Sequence, residues 1–285
     1  MEHRMDDPEG ISRIEDPEAT PSRRTTVVTG SRTSWGISDC GQLMGEAGEV
    51  GLASVEPEGV YEHLAVGVLE EGYTLAYFTP DGVDNVKYDV YGSRDGIYCG
   101  RARICRDDAE FVKTTESMTD DELLTIRQTF VVSKNETRIV IRMEITNCRA
   151  SRSVTLTDLL IKRYADIDVD TGGSAGWAGF LGRWDKNRDS VFTYNLDEDA
   201  REIKGKRAHV VDMVAMPSDL PLDDTFVGQL GANQYQSRAN PSPLTPLPTG
   251  REDGAGVLQW RASRLLPGET VRINMYYDTF RSFAQ

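Results

Sequence analysis

The chain has few histidines, no two cysteines at the spacing of a metal-binding pair, and no long apolar run. Its 285 residues include three histidines and four cysteines. The cysteines form no CxxC pair, so a structural zinc site is not expected. The most apolar stretch, residues 64–78, is interrupted by Glu70 and Glu71. No run of about 18 apolar residues remains, which excludes a membrane-spanning helix.

Basic residues are in the minority. Lys and Arg total 32 against 46 Asp and Glu, which gives a formal net charge of -14 and a pI of about 4.7. A surface of this sign repels polyanions, so nucleic acid and anionic membranes are excluded as partners. The acidic residues are spread along the chain and are typical of a solubilising surface with some capacity for cations.

The first 24 residues combine charge with proline and lack the apolar segment of a secretory signal peptide. We expect residues 1–24 to form a mobile acidic leader, because such a composition cannot offset its ordering entropy. With neither signal peptide nor membrane span, the sequence predicts a cytoplasmic protein. If the protein is cytosolic, its thiols stay reduced, and the disulfide state of the four cysteines is left open. Any disulfide would have to join different strands, since Cys99 and Cys105 lie too far apart along one strand.

Apolar residues repeat every two positions between residues 123 and 161, which is the period of a β-strand. In residues 138–146, Ile139, Ile141, Met143 and Ile145 share one face, and charged or polar residues occupy the other. One face should therefore lie in the core and one in water. Residues 126–132 repeat this pattern before the polar link 133–136, which predicts a hairpin.

Short strand-like segments fill most of the remaining chain. A third strand of the meander is predicted at 154–164, and further strands at 25–29, 61–68, 73–78, 86–91, 97–104, 111–115, 190–194, 208–216, 257–262 and 271–280. Turns are expected at Glu71-Gly72, Asp81-Gly82, Asp95-Gly96 and Pro267-Gly268. Helix is expected only in short pieces, around 219–231. The pattern predicts an all-β fold, a large two-sheet antiparallel β-sandwich formed as one domain by residues 25–285, with a long Pro/Gly-rich surface loop at 233–256.

Two segments carry a resemblance to a known family. The sequence TRIVIRMEITNCRASRSVTLTDLLIKRYADIDVD, and much later LQWRASRLLPGETVRINMYYDTF, resembles the two-sheet sandwich of the galactose-mutarotase-like superfamily. The resemblance implies a concave sheet that binds sugars and, in epimerase members, a histidine acid with a carboxylate base. His63 and His209 stand in contexts that differ from the epimerase histidine motifs, so the resemblance concerns the fold.

Three aspartates spaced by two, Asp166, Asp168 and Asp170, precede a Gly-rich turn. On an extended strand their carboxylates project from one face and repel each other unless a cation or arginine relieves them. Calcium, a cation that prefers oxygen ligands, is therefore a candidate cofactor. The set lacks the glycine and glutamate of an EF-hand loop, and the alternative interpretation is a solvated strand end.

An aromatic segment rich in glycine lies between residues 172 and 194. Aromatic faces stack on sugar rings, and neighbouring polar side chains could hydrogen-bond hydroxyl groups. The candidate ligand-binding residues are Trp177, Trp184, Asp185, Asn187, Arg188 and Tyr194. The alternative is that the tryptophans close the end of the sandwich.

Asp158, His63 and His209 are the candidate catalytic residues. Asp158 interrupts the apolar side of its strand, where a buried carboxylate must be paired or have a raised pKa. The alternative for Asp158 is pairing with Arg163, Lys162 or a backbone donor, and a lone histidine such as His63 is most often structural. The sequence contains no GxSxG, HExxH or Gly-rich phosphate-binding motif.

Three functions are compatible with these features. The leading hypothesis is a non-catalytic or structural carbohydrate-associated sandwich that binds a carbohydrate or another polyhydroxylated small molecule at 172–194. The second is an enzyme of epimerase, lyase or hydrolase type, acting on such a substrate through a carboxylate and a histidine. The third is a protein that self-associates into a homo-oligomer through its sheet edges or leader.

Overall fold

Antiparallel strands make up nearly all of the structure. The computed structural model describes residues 24–43, 51–57, 59–64, 71–90, 93–106, 109–148, 154–167, 181–185, 189–194, 209–228, 236–238 and 255–281. Eighteen strands of this part of the chain form sheets of four, eight and six strands, and every pair is antiparallel. The all-β prediction is confirmed.

Within each sheet the strands lie side by side in the following order. The four-stranded sheet contains β1 (Thr25–Thr29), β2 (Thr33–Ser38), β3 (Leu52–Glu56) and β4 (Gly59–Glu62). The eight-stranded sheet contains β13 (Leu181–Asp185), β14 (Ser190–Tyr194), β15 (His209–Met216), β18 (Thr270–Arg281), β11 (Arg138–Asn147), β10 (Leu124–Ser133), β9 (Glu110–Thr119) and β8 (Ile97–Arg106). The six-stranded sheet contains β16 (Leu222–Gly228), β17 (Ala255–Leu265), β12 (Leu156–Asp166), β5 (Glu71–Phe78), β6 (Asp84–Val90) and β7 (Ser93–Asp95).

The β10–β11 hairpin lies at the centre of the eight-stranded sheet. Its strands pair from Leu124↔Asn147 to Val132↔Ile139, and the inward row of β11 is at most 1% exposed. The alternation predicted for residues 138–146 is therefore confirmed, and it gives this sheet one buried and one solvent-facing side.

The six- and eight-stranded sheets pack face to face as a sandwich. A side chain at Gly256 of β17 would meet Val191 of β14 and Met213 of β15. Between the sheets, Tyr277 of β18 donates a hydrogen bond to Glu71 of β5. The four-stranded sheet contributes Trp35, Ile37, Leu43 and Leu52 to the same core cluster.

Several expectations need correction. Residues 222–228 form strand β16 rather than helix, because they pair with β17, and no α-helix occurs among the described residues. No helix there is long and apolar enough to span a membrane. Glu71-Gly72 begins strand β5 instead of a turn, whereas the glycines of the other three predicted turns have the expected positive φ: Gly82, Gly96 and Gly268.

Two of the four cysteines are joined in a disulfide, which settles the state that the sequence left open. Cys40 and Cys99 form a disulfide with Cα atoms 5.1 Å apart, while Cys105 and Cys148 are free. Cys40 follows β2 and Cys99 belongs to β8, which brings together two residues 59 positions apart. The leader before Arg24 lies outside the described residues, as does the 233–256 loop apart from 236–238 and 255–256.

Candidate functional site

The outward side of the eight-stranded sheet carries a row of alternating charges. Arg127 of β10 lies opposite Glu116 of β9 on one side and opposite Glu144 of β11 on the other. Glu144 in turn lies opposite Arg272 of β18. This order follows from register, because residues of one parity in four paired strands share a face.

Threonines form a second row beside the charges. Thr125, Thr146 and Thr270 occupy consecutive strands at the next outward position, and the hydroxyls of Thr146 and Thr270 are 2.7 Å apart. Together the rows border a half-open groove of about 360 Å³, within the size range of small-ligand sites. We call this the charge-row groove, lined by Glu116, Ser117, Thr125, Ile126, Arg127, Glu144, Thr146, Thr270 and Arg272.

Arg272, at one end of the charge row, forms two ion pairs. Arg272 Nε donates to Glu144 Oε1 at 2.9 Å, and Arg272 Nη1 lies 3.7 Å from Asp219 Oδ2. Among the described residues, Arg127 forms no ion pair within 4 Å although two carboxylates lie opposite it on neighbouring strands. The groove therefore presents a guanidinium donor, carboxylate acceptors and hydroxyls to a ligand.

A second polar cluster surrounds two of the predicted catalytic residues. Ser54 Oγ lies 2.9 Å from His63 Nε2, and His209 Nε2 lies 3.0 Å from Glu56 Oε1. The two imidazole rings have their centroids 5.2 Å apart. Ser54 and Glu56 alternate on β3, His63 follows β4, and His209 begins β15, so the contact joins the small sheet to the large one.

Burial controls the electrostatics of this cluster. Both histidines are 0% exposed, and burial together with the neighbouring His209 lowers the pKa of His63 well below its usual value of 6.5. His63 is therefore neutral at pH 7. Burial also raises the pKa of Glu62, although main-chain N–H groups of Leu52, Leu64, His63 and Gly51 oppose that rise. Fully buried rings offer a substrate no surface, so the cluster as it stands holds the sheets together.

Asp158 does not join the histidines. It lies at a β-bulge of β12, between the pairs at Thr157 and Leu160, with a φ of 51°. The bulge turns its side chain outward, 38% exposed, where it pairs with Arg238 at 2.9 Å and with Arg261 at 3.2 Å. The expectation that Asp158 faces the apolar side is therefore wrong, and its ion-pair partners are not those proposed from the sequence.

The remaining predicted residues are described only in part. Asp166 ends β12 and is partly buried, whereas Asp168 and Asp170 lie outside the described residues. Within the described part of the chain, the single group of three His, Cys, Asp or Glu side chains close enough to share a metal is Cys40, Asp89 and Cys99, but its two cysteines are joined in the disulfide. Calcium therefore stays a prediction. Trp184 and Asp185 in β13 pair through their backbone with Val191 and Ser190 of β14, and Tyr194 pairs with Leu181. Trp177, Asn187 and Arg188 also lie outside the described residues.

Sequence reasoning missed an ion pair at the centre of the sandwich. Arg163 of β12 donates from Nε to Glu71 Oε1 at 2.5 Å and from Nη1 to Gln128 Oε1 at 2.7 Å. All three side chains are at most 1% exposed. Burial raises the pKa of Glu71, and the guanidinium of Arg163 opposes this rise. The signal in the sequence is the pair of charged residues, Lys162 and Arg163, within the otherwise apolar run Leu159 to Ala165.

Comparison with protein-family models finds no match, and comparison with curated proteins finds none. Solved structures with similar folds include a putative aldose 1-epimerase from Escherichia coli K12, at 11% identity and a TM-score of 0.42, covering 91% of this chain and 99% of that one. They also include the GH36 α-galactosidase AgaB from Geobacillus stearothermophilus, at 9% identity and a TM-score of 0.41, covering 91% of this chain and 40% of that one.

A third match is the α-galactosidase from Lactobacillus brevis, at 9% identity and a TM-score of 0.36, covering 90% of this chain. The chain spans about two fifths of the length of these α-galactosidases. Sequence identities and TM-scores this low identify no residue of this chain as functional.

Proposed function

We propose that this protein is a non-catalytic binding protein for a carbohydrate-like, hydroxyl-rich small molecule, held in the charge-row groove. The observation that carries the proposal is the arrangement of Arg127 between two carboxylates, beside a row of threonine hydroxyls. Vicinal hydroxyl groups donate and accept hydrogen bonds at once. They therefore suit a surface on which donors and acceptors alternate.

Charge balance in the groove favours a neutral ligand. Its lining contains two arginines and two glutamates, so neither an anion nor a cation is attracted by a net charge. Binding to the open face of a sheet also needs no rearrangement, because the rows are fixed by strand pairing on both sides. The segment 172–194 stays a prediction for additional contacts.

The test is a thermal-shift screen of neutral glycans and polyols, followed by calorimetric titration of the best binder. Loss of a charged hydrogen-bond donor removes roughly 1.5–3 kcal/mol, so Arg127→Ala should weaken binding at least about tenfold. Arg142→Ala is the matched control, since Arg142 is exposed on the same face of β11 but does not line the groove. Equal affinities of the two variants would refute the groove as the site.

Acid–base catalysis at the histidine pair is a second candidate function. The observation that favours it is the 5.2 Å separation of the rings, with Ser54 and Glu56 as hydrogen-bond partners. Catalysis requires that a substrate reach them. If the pair is catalytic, diethyl pyrocarbonate should modify His63 or His209 at a rate near that of free N-acetylhistidine. Far slower modification, which full burial of both rings would give, would refute this candidate.

A further inference from the structure

A short segment that begins at the last residue of β2 occupies the space between the two large sheets. Residues 38–43 form a tight turn in which Ser38 Oγ accepts hydrogen bonds from the backbone N–H groups of Cys40 and Gln42. Gly41 takes a φ of 89°, and a Cβ there would lie 1.9 Å from Gln128 Nε2. We call residues 38–43 the plug.

The plug supplies hydrogen-bond partners to buried side chains of both sheets. In the eight-stranded sheet, Gln128 Nε2 donates to Cys40 O at 3.4 Å, and the other contacts are with the six-stranded sheet. Gly41 O accepts from Arg163 Nη1 at 3.1 Å, and Leu43 N donates to Glu71 Oε2 at 2.6 Å. The Gln42 side chain donates to Asp89 Oδ1 at 2.6 Å. The plug therefore covers the buried charged side chains of Arg163, Glu71 and Asp89, which water would otherwise hydrate. We call the space around these side chains the Arg163–Glu71 chamber.

The closed chamber leaves polar atoms without partners. Arg163 Nη2 and Thr115 Oγ1 are both buried and lack a hydrogen bond. A buried guanidinium N–H without a protein partner opposes closure, because water satisfies it when the chamber opens. The chamber therefore stays closed only while another interaction holds the plug against the sheets.

A disulfide at the middle of the plug holds it against the sheets. Cys40, 1% exposed, is joined to Cys99 of the edge strand β8. Cys99 is partly exposed, and Arg94 Nη1 lies 3.2 Å from its sulfur. The Asp89 carboxylate Oδ2 lies 3.5 Å from the same sulfur, so the two charges oppose each other there. The exposure of Cys99 makes its sulfur the one that an attacking thiolate reaches.

We propose that the Cys40–Cys99 disulfide is a redox clamp, and that its reduction releases the plug and opens the Arg163–Glu71 chamber to water. The reductant is a dithiol. One of its thiolates attacks the Cys99 sulfur and forms a mixed disulfide while Cys40 leaves as a thiolate. Its second thiol then displaces Cys99. The dithiol is oxidised to a cyclic disulfide, and the two cysteines gain two electrons and two protons.

The test is hydrogen exchange measured by mass spectrometry on the full chain, with and without dithiothreitol. Cys105→Ser/Cys148→Ser serves as the background, so that Cys40 and Cys99 are the only cysteines. Reduction should speed amide exchange in residues 41–43 at least about tenfold while the β10–β11 hairpin keeps its protection. Reoxidation should restore the slow rate.

Two results would overturn the clamp. One is unchanged protection of residues 41–43 when the mass shows both thiols free. The other is loss of protection throughout the β10–β11 hairpin, which would make the disulfide a staple for the whole fold. Cys40→Ser/Cys99→Ser gives a second route, since it should exchange like the reduced chain whether or not a reductant is present.

Discussion

Arg163 and Glu71 form an ion pair of 2.5 Å at positions where their side chains are 0% and 1% exposed. Tyr277 donates a further hydrogen bond to the same carboxylate oxygen of Glu71 at 3.0 Å. The pair joins β12 to β5, and Tyr277 reaches across from β18 of the other sheet. A charge buried at this depth is tolerated only while its partner remains.

Removing both members of this pair should cost less than the two single removals added together. We expect Arg163→Met to lower the free energy of unfolding by roughly 3–5 kcal/mol, because it leaves Glu71 buried without its cation. In the double variant Arg163→Met/Glu71→Gln, the loss should be smaller than the sum of the single losses. Urea unfolding of the four proteins measures the coupling. Strict additivity would mean that the pair does not act as a unit.

Gly41 should be intolerant of any side chain. Gly41→Ala adds a methyl group against Gln128 and Thr115 and should destabilise the fold by roughly 1–3 kcal/mol beyond the cost of positive φ. Gly82→Ala is the matched control, with a similar φ of 81° and no atom within 4 Å. Chemical unfolding of both variants isolates the steric part. Equal losses would mean that the plug can move aside freely.

His63 should make stability depend on pH. The pKa of His63 in the folded chain lies well below 6.5, whereas in the unfolded chain it is about 6.5. At pH values between the two, the unfolded chain binds more protons than the folded chain, so stability falls as the pH falls below about 6.5. The loss is at most about 1.4 kcal/mol per pH unit. Between pH 7.5 and 5.5 we expect the original chain to lose about 1 kcal/mol more than His63→Gln. Parallel losses in urea unfolding at the two pH values would contradict a buried neutral histidine.

Local periodicity was sufficient to predict the centre of the fold. The β10–β11 hairpin and β1 follow from alternation and turn chemistry, which act within a few residues. Local sequence predicts helix for residues 222–228 because their strand pairing depends on β17, 27 to 38 residues later. Tertiary pairing overrides local preference in such cases.

The site residues were harder to predict, since contacts between distant parts of the chain decide them. Glu71 looks like a turn residue until Arg163, 92 positions away, is placed beside it. Asp158 looks inward-facing until the bulge shifts its register. The charge-row groove combines β9, β10 and β11 with β18, so its fourth charge, Arg272, comes from a distant segment.

Chemical-shift mapping tests the central claim most directly. Isotope-labelled protein would be titrated with the tightest neutral glycan or polyol from the thermal screen, while amide and arginine Nε resonances are followed. We predict that the largest shifts fall on Glu116, Arg127 and Thr146, with the arginine Nε of Arg127 among them and the amides of Ser54 and His63 unmoved. Saturable shifts at Ser54 and His63, with the charge-row groove unchanged, would contradict the account.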